Sequence, residues 1–225
     1  MDDRILSIIV DSFSKILIPG LMVTIPLTII SFVLGLIIAI IVALVQFANI
    51  KGLKQLARFY IWVIRGTPLL VQLFVVFAGL PSVGIVLEPF PCAVIVFSIN
   101  TGAYCAETMR GALESIPKGQ IEAGYCVGMN YLQIMRRILL PQAFRIAFPP
   151  LSNTLIGLMK DTSLAGNITV LEMVMATQRI IARTYEPLIL YLEVGVIYLM
   201  FSTVLTYLQG IGEKRLNIYE RKVGK

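Results

Sequence analysis

The 225 residues are 57% hydrophobic and 14% charged, with a mean hydropathy of +0.85, whereas a soluble domain carries about 25% charged residues. Helices are the expected spanning elements, because a bilayer admits no unpaired backbone and strand-like alternation is absent. A net charge of +6 would suggest nucleic acid in a soluble chain, but here its placement in three clusters marks membrane topology, and the absence of histidine excludes His-based triad, general-base and metal-site chemistry.

Residues 1–16 set Ile5, Ile8, Ile9 and Phe13 near helical spacing among Asp2, Asp3, Asp11 and Lys15, which predicts an amphipathic helix in the membrane interface rather than a signal peptide. A long apolar run from Leu17 to Phe47, with Pro19 and Pro26 early in it, predicts the first span. After a turn holding Lys51, Lys54 and Arg58, a second span begins near Phe59 and ends before "GLPSVG". The loop from Pro81 to Pro91 contains Glu88 and neither Lys nor Arg, so it belongs outside. A third span runs from about Pro91 to Leu113, and a polar insert occupies Glu114 to Arg145. A fourth hydrophobic region starts near Ile146, interrupted at Pro149 and Pro150 and again at Lys160 to Ser163, and the last span covers about Pro187 to Leu208. The expectation is an all-α integral membrane protein of five transmembrane helices, with one membrane domain at 17–212 and a basic cytoplasmic tail at 213–225. The clusters Lys51 to Arg58, Lys118 with Arg136, Arg137 and Arg145, and Lys214 to Lys225 then lie inside, which puts the amino terminus outside. Cys92, Cys105 and Cys126 show no paired spacing and read as small buried residues, with no metal site expected.

Asn100, Tyr104 and Glu107 fall at i, i+4 and i+7, so they share one face of the third span, and Arg110 extends the stripe. Ionisable residues at membrane depth face a cavity or a partner. Glu107 and Arg110, three apart, also have the spacing to neutralise each other. Lys160 and Asp161, followed by Thr162 and Ser163, lie on an interrupted helix of the kind that lines transport cavities, or in a turn capped by Asp161. Within the insert, Ser115 and Pro117 predict the start of a short helix ending at Gly128. Asn130 predicts the cap of a second that stops at Leu140 and Pro141, with Leu132, Met135 and Leu139 as its apolar stripe. Gly124 and Gly128, four apart, would let another backbone approach.

The spacing of Glu122, Ala123, Gly124, Gly128, Ile138, Leu140 and Pro141 resembles the EAA signature of bacterial ABC importer permeases, with Gly124 in place of the usual second alanine. "RGTPLLVQLF", "NTGAYCAETMRGALESIPKGQIEA" and "LPQAFRIAFPPLSNTLIGLMKDTSLA" resemble the polar amino acid permease family, and the cystine branch most. The resemblance implies a type I importer fold in the bacterial inner membrane, with the insert at about 114–145 as a cytoplasmic coupling hairpin. It implies a second permease subunit, two ATPases docked on the hairpins, and an extracytoplasmic binding protein that delivers an amino acid. Relatives' sites imply that Asn100, Tyr104, Glu107, Lys160, Asp161 and Gln72 line the cavity. The sequence has no GxxxxGK[ST] loop, so ATP and Mg²⁺ belong to a partner and no cofactor is expected in this chain. A proton-coupled carrier would also use Glu107 and Asp161 but has no need of the hairpin. An intramembrane enzyme lacks a nucleophile and base pair.

Overall fold

The computed structural model describes residues 3–48 and 51–223, with side chains described from Arg4 to Leu216; Asp2 and Lys225, named above, lie outside the described residues, as does the side chain of Asp3. No strand occurs among them. Helix α1 (Asp3–Pro19) passes through a π-helical turn at Gly20–Thr24 into α2 (Ile25–Phe47), so the first helix and the first span form one run. That run, Arg4–Phe47, has 44 residues. At 1.5 Å per residue it is about 66 Å long, roughly twice the hydrocarbon thickness, and only part of it can span. Pro19 has no N–H to donate, and the widened turn after it takes up the change of register.

Helix α3 (Leu53–Gly66) is separated by Thr67 and Pro68 from α4 (Leu69–Phe74), which continues through π and 3-10 turns to Val83. The second expected span is therefore broken at its Thr67–Pro68 step, since a proline disfavours helical backbone in the residue before it. Helices α5 (Pro89–Glu114), α6 (Lys118–Cys126), α7 (Tyr131–Ile134) and α8 (Leu140–Asp161) follow. The chain ends in α9 (Met173–Thr184) and α10 (Pro187–Val223).

Three runs among the described residues are long and apolar enough to cross a membrane, Arg4–Phe47, Pro89–Glu114 and Pro187–Leu216, and the broken pair Leu53–Gly66 with Leu69–Val83 counts as a fourth only if the two are taken as one span. Helix α8 is not among them, because Gln142, Arg145, Asn153, Lys160 and Asp161 dilute it. The double proline does not interrupt α8, contrary to the expectation from sequence. Ala143, Ala147, Leu151 and Leu158 are all buried, so one apolar face runs straight across Pro149 and Pro150. Burial of that face outweighs the two backbone hydrogen bonds the prolines remove.

Contacts divide the chain into two units, one of Met1–Val33, Thr67–Ser98 and Leu155–Tyr207 and another of Leu34–Gly66, Ile99–Thr154 and Leu208–Lys225. In the first, Leu27, Leu73, Val96, Phe97, Leu158 and Ile168 belong to one core. Helix α1 packs on α9, and Ile16 joins Met173, Val194 and Ile197 in a second core. The buried stripe of α1 runs through Ser12 and Ile16, while Phe13 faces out. In the second unit the Tyr60 hydroxyl donates to Ile99 O at 2.6 Å, tying α3 to α5. Cys92 and Cys105 are buried as expected, whereas Cys126 is exposed because it lies on the outer face of α6.

Candidate functional site

The α5 stripe meets the end of α3 in the second unit. Glu107 accepts from Arg110 Nε at 3.0 Å and from Nη2 at 2.9 Å, and Arg110 Nη1 donates to Glu114 at 2.6 Å. The i,i+3 neutralisation allowed by the sequence is thus formed, and Arg110 bridges two carboxylates. Arg65 stands 3.8 Å from Glu107, with its guanidinium carbon 5.1 Å from the centre of the Tyr104 ring. Glu107, Arg110 and Glu114 line a cavity of about 310 Å³ with Gln46, Lys54, Arg58, Ile61 and Trp62. Gln46 is 6% exposed and its Nε2 has no hydrogen-bond partner among the described residues; it lies near the Glu107 carboxylate without reaching hydrogen-bond geometry. A buried amide with a donor to spare fits a polar ligand in that cavity. Asn100 is half-buried on the same helix, and Tyr104 is exposed.

Lys160, Asp161 and Gln72 fall in the first unit. Lys160 and Asp161 are exposed at the end of α8, where the helix tightens into a 3-10 segment, Thr162–Ile168. The Asp161 side chain makes no cap there. That segment packs against α4, which carries Gln72. Gln72 Nε2 donates to Thr67 O at 3.1 Å and Thr67 Oγ1 at 2.9 Å, so its amide group pins the break before α4.

The polar insert is a helical hairpin. Helix α6 follows Pro117 directly, while Ser115 turns back to donate to Ala112 O at 2.8 Å and caps nothing. Its end is a Schellman turn: Gly128 N bonds Tyr125 O, Met129 N bonds Gly124 O, and Gly128 has φ +79°. Asn130 and Gln133 form the reciprocal capping box, each side chain accepting from the other's backbone N–H at 2.9 Å. The second helix does not stop at Pro141. A π-helical turn at Met135–Leu139 lets Leu140 N bond Met135 O, and the chain runs on into α8 with Pro141 in its first turn. The buried stripe is Ile134, Met135 and Leu139, with Leu132 73% exposed in the first turn of α7, since it is Ile134 that packs against Gly124 of α6.

The signature residues therefore divide. Glu122, Ala123, Gly128 and Pro141 are exposed, Ile138 and Leu140 are half-buried, and Gly124 is buried against Ile134 and Ile138. Gly128 has nothing within 4 Å of a β-carbon position, so within this chain its glycine serves the left-handed turn rather than close approach.

Sequence reasoning passed over Arg65 and Gln46, and a second buried cluster in the first unit. Glu172 is 0% exposed at the start of α9, accepting from Val174 N at 2.8 Å, Met175 N at 2.7 Å and the Tyr198 hydroxyl at 3.2 Å. Burial pushes its carboxyl up to about 7, against the opposing pull of those three donors. An acid immediately before an apolar helix was the available signal. Ser12 donates to Glu193 at 2.5 Å, which joins α1 to α10.

Residues 35–218 match the model of the family described as "Binding-protein-dependent transport system inner membrane component". The chain belongs to this family. It is 47% identical over 212 residues to the L-cystine transport system permease protein TcyB of Bacillus subtilis, covering 94% of this chain and 91% of that one. It is 36% identical over 226 residues to the nopaline transport system permease protein NocM of Agrobacterium fabrum, covering 96% and 93%. The crystal structure of an amino acid ABC transporter with histidines superposes with a TM-score of 0.87 at 31% identity, covering 96% of this chain and all of that one. An inward-facing structure of the MetNI methionine ABC transporter gives 0.75 at 17% identity, which supports the fold alone, over 96% and 99%. The all-helical importer permease architecture and the resemblance to amino acid ABC permeases read from the sequence both hold. The permease is an inner membrane component, not the ATP-hydrolysing one.

Proposed function

We propose that the permease is the translocation subunit of an ATP-driven importer that carries a polar L-amino acid, cystine foremost, into the cell by alternating access. The observation that carries this reading is the two-signed cluster of Arg65, Glu107 and Arg110 beside a polar cavity. A zwitterion needs both charges, and the low dielectric of such a site strengthens each contact. Arg110 already donates to Glu114, so it can keep that bond while Glu107 turns to a substrate ammonium. The candidates on α5 are Asn100, Tyr104 and Glu107; Lys160, Asp161 and Gln72, in the first unit, are separate candidates for substrate contact. The 47% identity to a cystine permease supports the substrate.

In this reading two permease subunits pair, two ATPases holding ATP and Mg²⁺ dock on the hairpins, and an external binding protein delivers the substrate. Glu122, Ala123 and the exposed apolar residues Tyr125, Val127 and Leu132 give the hairpin a docking face. The amino terminus lies outside and the tail from Lys214 inside. Reconstitution of the permease with its ATPase and binding protein in liposomes tests the whole. ATP-dependent accumulation of L-cystine supports it. Accumulation driven by a proton gradient without the ATPase would replace it with a proton-coupled carrier.

A further inference from the structure

Arg65 occupies the last turn of α3 and is 43% exposed on its side chain. Its two contacts among the described residues are the 3.8 Å approach to Glu107 and the face of Tyr104. Neither is a hydrogen bond: 3.8 Å is beyond hydrogen-bond length, and an aromatic face is not a lone pair. A guanidinium carries five N–H donors in a rigid fork that matches a carboxylate.

A purely structural role would make Arg65 the counter-charge of Glu107. Arg110 already fills that role, gripping both Glu107 oxygens at 3.0 and 2.9 Å and Glu114 at 2.6 Å. Arg58 and Arg110 line the same cavity as Glu107 and Glu114, and Arg65 beside Glu107 adds a third guanidinium to those two carboxylates, which favours an added carboxylate. The centre of the Tyr104 ring lies 5.1 Å from the guanidinium carbon, and the Arg65 side chain remains accessible beside it.

We propose that Arg65 binds the α-carboxylate of the transported amino acid while Glu107 receives its ammonium. An α-amino acid carries its opposite charges one carbon apart, and Arg65 and Glu107 stand at a matching near-contact separation. A ligand whose charges lie several carbons apart would leave one of the two unmet. The inference rests on the reading that the permease carries an amino acid.

The test uses the permease reconstituted with its ATPase and binding protein, as wild type, Arg65→Lys and Arg65→Met. Uptake is screened over L-cystine and the twenty standard L-amino acids, and the methyl ester of the one transported then competes against the free acid. Wild type should prefer the free acid by roughly ten- to a hundredfold, the range of a charged hydrogen bond. Arg65→Met should bring the ratio close to one, and Arg65→Lys, which keeps the charge and loses the fork, should fall between them. ATPase co-purification shows that each variant assembles, and if Arg65→Met does not, the ratio is read from Arg65→Lys. Amino acid uptake with an unchanged ratio in the assembled variants refutes the role of Arg65 and leaves the parent reading intact. Failure of wild type to transport any amino acid removes the parent reading, and this inference with it.

Discussion

Gly124 lies so close to Ile134 that a β-carbon on it would stand 2.8 Å from Ile134 Cγ1 and 3.0 Å from Cδ1, with Ile138 Cδ1 at 3.4 Å. Helices α6 and α7 approach each other through this glycine, at the position where the EAA signature usually has alanine. Here the missing methyl is filled by an isoleucine. Gly124→Ala should therefore loosen the hairpin, at a cost of about 1–3 kcal/mol typical of overpacking. A lower thermal midpoint and weaker ATPase co-purification are the expected readouts. Ile134→Val, which shortens the side chain, should recover part of both; no recovery would place the conflict elsewhere.

Gly128 is a separate case. Its φ of +79° closes the Schellman turn of α6, and open space surrounds its β-carbon position. Substitution cost should follow backbone preference rather than size. Gly128→Asn should be mild, Gly128→Ala intermediate at about 1 kcal/mol, and Gly128→Val worst. Thermal midpoints of the purified variants give the order, and equal damage from Asn and Val would point to a steric role.

The hairpin also shows how much the sequence discloses. Asn130 announced a helix cap and Gly128 a helix end through local sequence alone, whereas the reciprocal bond from Gln133 that completes the capping box shows only in the structure. The α5 stripe was legible because a single helix fixes which residues share its face. The chain's prolines misled: Pro141, Pro149 and Pro150 read as stops, yet burial of Ala143, Ala147 and Leu151 carries α8 through them. Local propensity cannot register a partner surface contributed by distant residues. Arg65 and Glu172 were missed for the same reason, since each matters through residues 39 or 26 positions away, Tyr104 and Tyr198.

Glu172 makes stability depend on pH in a defined direction. Its carboxyl sits at about 7 in the fold against an ordinary 4.5, outside the helices that qualify as spans. The folded protein thus holds a proton that the unfolded chain releases between those values. The contribution is complete below pH 4.5, is lost as pH rises to about 7, and is flat above. At about 1.4 kcal/mol per unit the window covers about 3 kcal/mol. Thermal midpoints of wild type should fall across it relative to Glu172→Gln, which cannot titrate. Parallel curves would mean that the Val174 and Met175 N–H groups keep the carboxylate charged throughout.

Glu107→Gln keeps the shape of the cluster and removes its charge. If Glu107 receives the substrate ammonium, uptake should drop by roughly tenfold or more, with the loss in apparent affinity. Asp161→Asn should act in the same direction. ATPase co-purification should stay normal in both. Unaltered half-saturation in the pair would remove these carboxylates from the site.

Glu122 offers the cleanest separation of docking from folding. It is exposed on α6 and makes no hydrogen bond or ion pair with any described residue, so nothing inside the chain depends on its charge. A solvated glutamate of that kind contributes within about 0.5 kcal/mol to stability. Buried against an ATPase, the same charge would cost about 2–5 kcal/mol to remove, because its partner would be left unpaired. Glu122→Ala should then leave the thermal midpoint of the isolated permease unchanged while weakening ATPase association roughly thirtyfold or more. Gln133 is the internal contrast, since it is also exposed but closes the capping box. Gln133→Ala should lower the thermal midpoint by a cap's worth, about 1 kcal/mol, with association reduced only in proportion. Normal association and transport in Glu122→Ala would mean that the ATPase engages another face of the hairpin, with exposed Tyr125, Val127 and Leu132 the next residues to replace.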